Sequence, residues 1–161
     1  MPASLEEIRE AVGEFITLIA NSAIPTEGRM QRLRRSLDRL ALLQHDVSYR
    51  SEEREFPEPP DRSYDQMRRI VSAHFPELGY YNIPSSVTQH IADADLEVGD
   101  AIDDITDIAL ELYEVLWRFD HTSADDALWY FEFSYSAHWE WHLRGLQFCL
   151  QHLSAGHEDA V

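Results

Sequence analysis

The sequence predicts an all-α fold, an up-and-down bundle of four main helices plus one short helix. Apolar residues recur at helical spacing along most of the chain, and no segment shows the strict alternation of a half-buried strand. Short connections between the periodic segments favour antiparallel neighbours. The length of 161 residues is enough for one domain with a substantial core, so we expect a single helical domain over residues 1–161.

The first two main helices are predicted over residues 4–21 and 27–46. Ser4 and Glu7 have the spacing of a capping box at the start of the first helix, and Pro25 follows its end. The second helix carries an apolar stripe on one side and arginines on the other. Both segments therefore have the signals of surface helices in a bundle.

An exposed loop is predicted over residues 48–62, which are rich in Glu, Arg and Pro. A short helix over residues 64–74 follows, with Ser63 and Gln66 as a capping pair. The segment 75–81 then breaks the helical pattern and predicts irregular structure. The sequence leaves open whether the loop is ordered or becomes ordered on binding.

Two long helices complete the predicted bundle. The helix over residues 86–119 has apolar residues that alternate spacings of four and three, as in a bundle seam. The helix over residues 124–153 begins after the cap residue Ser123 and ends before Gly156. We expect these two helices to form much of the core.

The formal net charge is −17, and all 13 basic residues are arginine. Residues 1–69 hold 11 arginines and 13 acidic residues, whereas residues 70–161 hold 2 arginines and 17 acidic residues. Such an acidic second half repels phosphate, so we expect no binding to nucleic acid or to an anionic membrane. Cys149 has no partner for an internal disulfide, and the sequence has no leader-like or membrane-spanning apolar stretch. We therefore expect a cytoplasmic protein.

An acidic stripe runs along the third main helix. Asp103, Asp104 and Asp107 spell D-D-x-x-D, a carboxylate pattern that holds magnesium in helical prenyl-diphosphate enzymes. On a helical wheel the acidic residues from Asp100 to Glu114 span about 100°, and the apolar seam is centred roughly 165° away. We interpret the stripe as a solvated face. The alternatives are a surface cation site, or pairing with arginines of the second helix or of a second subunit.

A histidine pair, His138 and His142, lies in the segment H-W-E-W-H of the last main helix. Residues four apart share a helix face, and imidazoles at that spacing can bind one divalent metal ion such as zinc, nickel or iron. The wheel places His142 near the core face and His138 at its edge. Tyr135 and Glu132 fall on the same side as additional candidate ligands. Glu140 points away from them.

A metal site at this pair needs at least one more ligand from another helix. His45, His74 and His90 are the available histidines, although His45 falls off the core stripe of its helix. One competing interpretation is a buried His142 that bonds a tyrosine, a carboxylate or a backbone carbonyl. A proton-transfer role is a third interpretation.

A second apolar stripe on the last helix contains Tyr130, Trp141 and Phe148, roughly opposite the first stripe. A helix that is apolar on two sides is either central in its fold or packed against a partner. Because Tyr, Trp and Phe are enriched at interfaces, we predict that these three residues form a homodimer interface. Burial inside a larger monomeric bundle is the alternative.

Four short motifs of the second half occur together in one pattern. They are Leu78-Gly79-Tyr80-Tyr81, Asp103-Asp104-Ile105-Thr106-Asp107-Ile108, Ala127-Leu128-Trp129, and His138-Trp139 with His142. In these motifs the chain resembles a bacterial family called domain of unknown function 5063, whose pattern has D-D-[LI]-x-D-I followed by H-W-G-x-H. This chain has Glu140 in place of the glycine. The resemblance implies a small all-helical protein and supplies no catalytic residues.

The histidine pair, which precedes Arg144-Gly145, is also similar to the last helix of DinB-like metal-binding bundles. Two hypotheses about function follow. The first is an acidic cytoplasmic protein that acts through protein–protein association, as a homodimer or with another protein. The second is a divalent-metal-dependent enzyme of DinB-like type, with His138 and His142 as ligands and a water activated at an open position. The residues alone do not decide whether the protein is an enzyme.

Overall fold

A computed structural model describes residues 3–155 of the chain. The helices are α1 (Leu5–Ala20), α2 (Arg29–Gln44), α3 (Tyr64–His74), α4 (Ala101–His121), α5 (Ala124–Ser134) and α6 (Glu140–Ala155); the strands are β1 (Tyr80–Pro84) and β2 (Leu96–Asp100). A π-helical turn, Tyr135–Trp139, joins α5 directly to α6. Helix α4 packs against α1, α3, α5 and α6 and is therefore the central helix of the fold.

Side-chain caps explain where several helices begin. The hydroxyl of Ser4 accepts a hydrogen bond from the backbone N–H of Glu7, and the Glu7 carboxylate accepts one from the Ser4 N–H. Ser63 and Ser123 cap α3 and α5, each accepting from the N–H three residues later. The carboxylate of Asp100 accepts from two N–H groups in the first turn of α4. These caps satisfy N–H groups that otherwise lack partners.

The hydrophobic core surrounds α4. Its fully buried side chains include Phe15 of α1, Leu37 of α2, Ile105 of α4 and Phe131 of α5. Trp139 is also fully buried, and its indole N–H donates to the hydroxyl of Ser134 at 3.0 Å, so this buried donor has a partner. Truncation of any one of these large side chains to alanine is expected to cost about 2–5 kcal/mol.

The prediction of a helix over residues 86–119 is wrong at its N-terminal end. Residues 80–100 contain the antiparallel hairpin β1–β2, in which Tyr81 pairs with Gly99, and α4 begins only at Ala101. The described part of the chain is therefore mostly helical with a small two-stranded sheet, and the all-α prediction is correct only approximately.

Local backbone preferences account for this difference. Pro84 disfavours helix at and before its position, and Gly99 has low helix propensity. His90 and Ala92, in the loop between the strands, have left-handed backbone with φ of 51° and 64°, which no α-helix contains. Val98, an apolar residue at helical spacing from Ile102 and Ile105, lies exposed on β2 and not in the apolar seam. Helical spacing alone does not distinguish such a segment from a helix.

The helix predicted over residues 124–153 is interrupted by the π-helical turn. There the backbone N–H of Glu140 donates to the carbonyl of Tyr135, five residues earlier. A π turn inserts one residue into a helix, so residues before and after it are offset by about 100° from an uninterrupted wheel. Turns of this kind are frequent at functional sites.

The segment 48–62 contains no helix or strand and is mostly exposed. Two side-chain contacts hold its start against α5. The hydroxyl of Tyr49 donates to Glu132 at 2.6 Å, and the backbone N–H of Arg50 donates to Asp125 at 3.0 Å. Within residues 3–155, no helix has the length and apolar character that crossing a membrane requires.

Candidate metal centre

The acidic stripe of α4 and the histidine pair meet between α4 and the helix formed by α5, the π turn and α6. Asp107, His138 and His142, here called the His–Asp cluster, have potential ligand atoms that all lie within 4.8 Å of one another. Nε2 of His142 is 3.5 Å from Oδ2 of Asp107. Two ligand atoms bound at about 2.1 Å to one tetrahedral ion stand about 3.4 Å apart. This pair therefore already has the separation that a shared ion requires.

A carboxylate holds the ring of His142 from its other side. Nδ1 of His142 lies 2.9 Å from Oδ1 of Asp104, and the hydroxyl of Tyr81 donates to Oδ2 of the same carboxylate at 2.6 Å. Because an ionised carboxylate only accepts hydrogen bonds, in the neutral ring Nδ1 carries the proton and Nε2 is left as the ligand nitrogen. This carboxylate–histidine arrangement is typical of metal-binding histidines.

His138 has the same kind of support. Its Nδ1 lies 2.8 Å from Oε1 of Glu111, and the hydroxyl of Tyr130 donates to Oε2 of Glu111 at 2.6 Å. The side chain of His138 is 45% exposed and that of His142 is 17% exposed. Each histidine is thus backed by a carboxylate of α4 and each carboxylate by a tyrosine, with His138 on the solvent side of the cluster.

Burial and neighbouring charges shift pKa values in and around the cluster. The hydrogen bond to Asp104 raises the pKa of His142, and the nearby Asp107 carboxylate adds to this against the opposing effect of burial. Burial raises the pKa of Asp107, and His142 partly offsets that increase. Burial and then the adjacent carboxylates raise the pKa values of Tyr81 and Tyr130, so both hydroxyls stay protonated donors. The cluster concentrates negative charge that a divalent cation would neutralise.

Comparisons with known proteins place the chain in a family. The model of a family described as a domain of unknown function (DUF5063) matches residues 1–156. The chain belongs to this family. The match confirms the resemblance that the motifs of the second half indicated and extends it over nearly the whole sequence.

The crystal structure of protein BF1032 from Bacteroides fragilis is similar to this DUF5063 chain, with a TM-score of 0.72. The similarity covers 92% of this chain and 90% of that chain at 15% sequence identity, so it concerns the fold. Among curated proteins, no match is found. A similarity to DinB-like bundles is not among these findings and stays a prediction.

The interpretation of the acidic stripe in this DUF5063 chain as a solvated face is wrong. Asp104 is only 6% exposed. Asp100 pairs with Arg68 of α3 at 2.6 Å, and Glu114 pairs with Arg118 of α4 itself at 2.7 Å, so these basic partners do not come from the second helix. The physical reason is that α4 is central. Its side opposite the apolar seam is a second, polar interface, which a wheel of one isolated helix does not reveal.

Asp107, the third potential ligand, was not expected from the sequence to join the histidine pair. Of the histidines considered for that role, His74 bonds the backbone carbonyl of Ile19 at 2.6 Å, and His45 and His90 are exposed elsewhere. The signal was present in the D-D-x-x-D motif, whose last residue is Asp107. It was interpreted separately from the histidine pair because nothing in the sequence shows that the two motifs are neighbours.

The two additional ligand candidates lie outside the cluster. The hydroxyl of Tyr135 donates to Glu140 at 3.2 Å and accepts from Arg144 at 3.0 Å. Glu132 accepts from Tyr49 of the loop. The π turn explains the error, because its extra residue offsets these positions by about 100° from the histidines.

The three predicted interface residues have different environments. Trp141 and Phe148 are 58% and 59% exposed on α6. Tyr130 is half-buried, donates to Glu111 and faces the guanidinium of Arg118 at 4.4 Å. Tyr130 therefore supports His138 and does not share the exposed face of the other two.

Proposed function

We propose that this protein binds one divalent transition-metal ion of the zinc, nickel or iron type through Asp107, His138 and His142. The observation that carries the proposal is the convergence of two carboxylate-supported histidines on a third, oxygen ligand. Sets of two histidines and one carboxylate are typical of zinc hydrolases and of iron(II) oxygenases. Three protein ligands leave at least one coordination position for water or a substrate.

The residues of the cluster divide into ligands and supports. Nε2 of each histidine and one oxygen of Asp107 would bind the ion, while Asp104 and Glu111 hold the rings and select the tautomer. The ligand atoms, within 4.8 Å of one another, are spread wider than a compact site needs. Binding of one ion by all three residues would therefore require the ring of His138, the more exposed of the two histidines, to shift inward. A metal ion with an open position lowers the pKa of bound water and supplies hydroxide for hydrolysis.

Metal analysis of the full chain tests this proposal. The chain is purified, stripped with a chelator and titrated with Zn²⁺, Ni²⁺ or Fe²⁺ against a chromophoric competitor. We expect one ion per chain, and His142→Ala and Asp107→Asn should each weaken binding by more than the roughly 10–100-fold typical of outer supports. His45→Ala, at an exposed histidine far from the cluster in sequence, is the matched control. Stoichiometric metal retained in His142→Ala would contradict the proposal.

A second candidate function is self-association, and we propose it on a separate observation. The exposed aromatic side chains of Trp141 and Phe148, seven residues apart, share one face of α6, and such side chains are enriched at interfaces. The proposal is a cytoplasmic homodimer that uses this face. Light scattering coupled to size-exclusion chromatography should show a dimer for the wild type and a monomer for Trp141→Glu, with exposed Leu42→Glu as control. A wild-type monomer at micromolar concentration argues against it.

A further inference from the structure

Tyr81 extends from the β1–β2 hairpin to Asp104 of α4, the carboxylate that supports His142 of α6. Side chains alternate between the faces of a strand, so Tyr81 and Ile83 face the helices while Tyr80 is exposed on the other face. The Tyr81 hydroxyl donates to the buried Asp104 at 2.6 Å. A residue of the sheet thus donates a hydrogen bond directly to the carboxylate that supports His142.

Two glycines leave the space that Tyr81 occupies. A Cβ atom on Gly99, the cross-strand partner, would lie 2.3 Å from Cζ of the Tyr81 ring. A Cβ atom on Gly145 of α6 would lie 2.4 Å from the Tyr81 hydroxyl oxygen. Real Cβ atoms essentially never approach other atoms so closely. Any side chain at either position would therefore displace the ring or its hydroxyl.

Backbone conformation does not explain these two glycines. Neither Gly99 nor Gly145 has a positive φ, in contrast to Gly28. Gly145 also lies within α6, where glycine is less favourable than alanine. Space for Tyr81 is the remaining physical reason for a glycine at each position.

The contact made possible by this space restrains His142. One oxygen of Asp104 accepts from Tyr81, and the other oxygen is bonded to Nδ1 of His142. A carboxylate held at both oxygens cannot rotate without breaking one of these bonds. The direction in which Nε2 of His142 points therefore depends on Tyr81.

We propose that Tyr81 is a positioning residue, which through Asp104 fixes the ring orientation and tautomer of His142. The affinity of the site for metal would then depend on how the β1–β2 hairpin packs against the helices. The part about affinity rests on the proposed metal-binding function. The part about the histidine ring does not, because it concerns the metal-free chain. The two strands of the hairpin contact each other more than they contact the helices. The hydrogen bond from Tyr81 to Asp104 is therefore one of the contacts that attach the hairpin to the helices.

The first test compares Tyr81→Phe with Tyr80→Phe, the same change at the exposed neighbouring residue. In the metal-free full chain, nitrogen NMR of the His142 ring in mildly alkaline buffer should report the Nδ1-protonated tautomer for the wild type and for Tyr80→Phe. Tyr81→Phe should give a mixture of tautomers. An unchanged His142 spectrum in Tyr81→Phe would overturn the proposal, whether or not the chain binds metal.

The metal arm uses a Zn²⁺ competition titration of the same variants. Tyr81→Phe should weaken binding about 10–100-fold, the range for loss of an outer support of a metal ligand, and Tyr80→Phe should leave it unchanged. Equal affinity of Tyr81→Phe and the wild type would overturn the link between hairpin and metal. If the wild type binds none of Zn²⁺, Ni²⁺ and Fe²⁺, the proposed function fails, and the NMR result alone decides the role of Tyr81.

A second pair of variants tests the space itself. Gly145→Ala should lower the melting temperature of the wild type, because its Cβ meets the Tyr81 hydroxyl. In Tyr81→Phe the same change should raise it, since the nearest ring atom is then at an ordinary 3.5 Å and alanine favours the helix. Gly13→Ala in α1, with no atom within 4 Å of its Cβ, should raise the melting temperature in both backgrounds. The same sign for Gly145→Ala in both backgrounds would contradict the proposed arrangement.

Discussion

His142 and His138 are supported by the same kinds of groups in different surroundings. Behind each ring lies a carboxylate of α4 and behind that carboxylate a tyrosine, yet the support of His142 is buried and includes the hairpin, while that of His138 lies nearer solvent. A hydrogen bond in a low-dielectric interior is stronger, and a group left unpaired there costs more. The two sets of supporting groups should therefore contribute unequally to the stability of the fold and to metal binding, although they are chemically alike.

The largest expected difference is between the two carboxylates. Asp104→Ala leaves Tyr81 and His142 without their partner in a buried region, so we expect it to lower the free energy of unfolding by about 2–4 kcal/mol. Glu111→Ala leaves the half-buried Tyr130 and the exposed His138, whose ring can bond water instead, so its cost should be about 1 kcal/mol. Urea denaturation of both variants without metal measures the difference. Equal losses would show that burial does not separate the two supports.

A smaller difference is expected between the two tyrosines in metal affinity. Tyr130→Phe removes the hydrogen bond to Glu111, but His138 is exposed and water can replace part of that support. We expect a loss of affinity for Zn²⁺ of less than about 10-fold, at the low end of the range for outer supports. The competition titration used for Tyr81→Phe gives the comparison. A loss for Tyr130→Phe as large as that for Tyr81→Phe would remove the distinction.

The smallest expected effect is a pH dependence of the metal-free protein. The pKa of His142 is raised above its unfolded value, mainly by the hydrogen bond to Asp104. The stability that this bond contributes is therefore fully present below about pH 6.5 and is lost as pH rises through the raised pKa of the folded state. Chemical denaturation in chelator between about pH 6 and pH 9 should show this loss for the wild type. A His142→Gln variant with an equally steep loss would assign it to other groups.

Prediction from the sequence succeeded where a local signal decides the structure. The ends of α1, α2 and α3 lie within about two residues of the expected ones, since capping residues and prolines act on the backbone next to them. It failed at β1–β2, where the decisive features are Pro84, the left-handed His90 and Ala92, and the pairing of two separated segments. Pairing between segments depends on contacts that helical spacing does not contain.

The candidate site was half predictable for the same reason. The spacing of His138 and His142 placed them on one side of a helix, with His142 the more buried. The sequence showed Asp107 and the supports Asp104 and Glu111 only as an acidic stripe, because their roles at the site depend on which helix packs against them. That packing is a property of the assembled fold and not of α4 alone.

The π-helical turn has a consequence for how the candidate site can be gained or lost in evolution. Counted along an uninterrupted helix, Tyr130 and His142 would lie about 120° apart, whereas the extra residue brings them to about 20°. Both side chains can therefore face α4. A single inserted codon is enough to create such a turn, and a single deleted codon is enough to abolish it. A relative without that codon would keep a continuous helix and both histidines. Its residues on one side of the deletion, however, would face away from the acidic residues of α4.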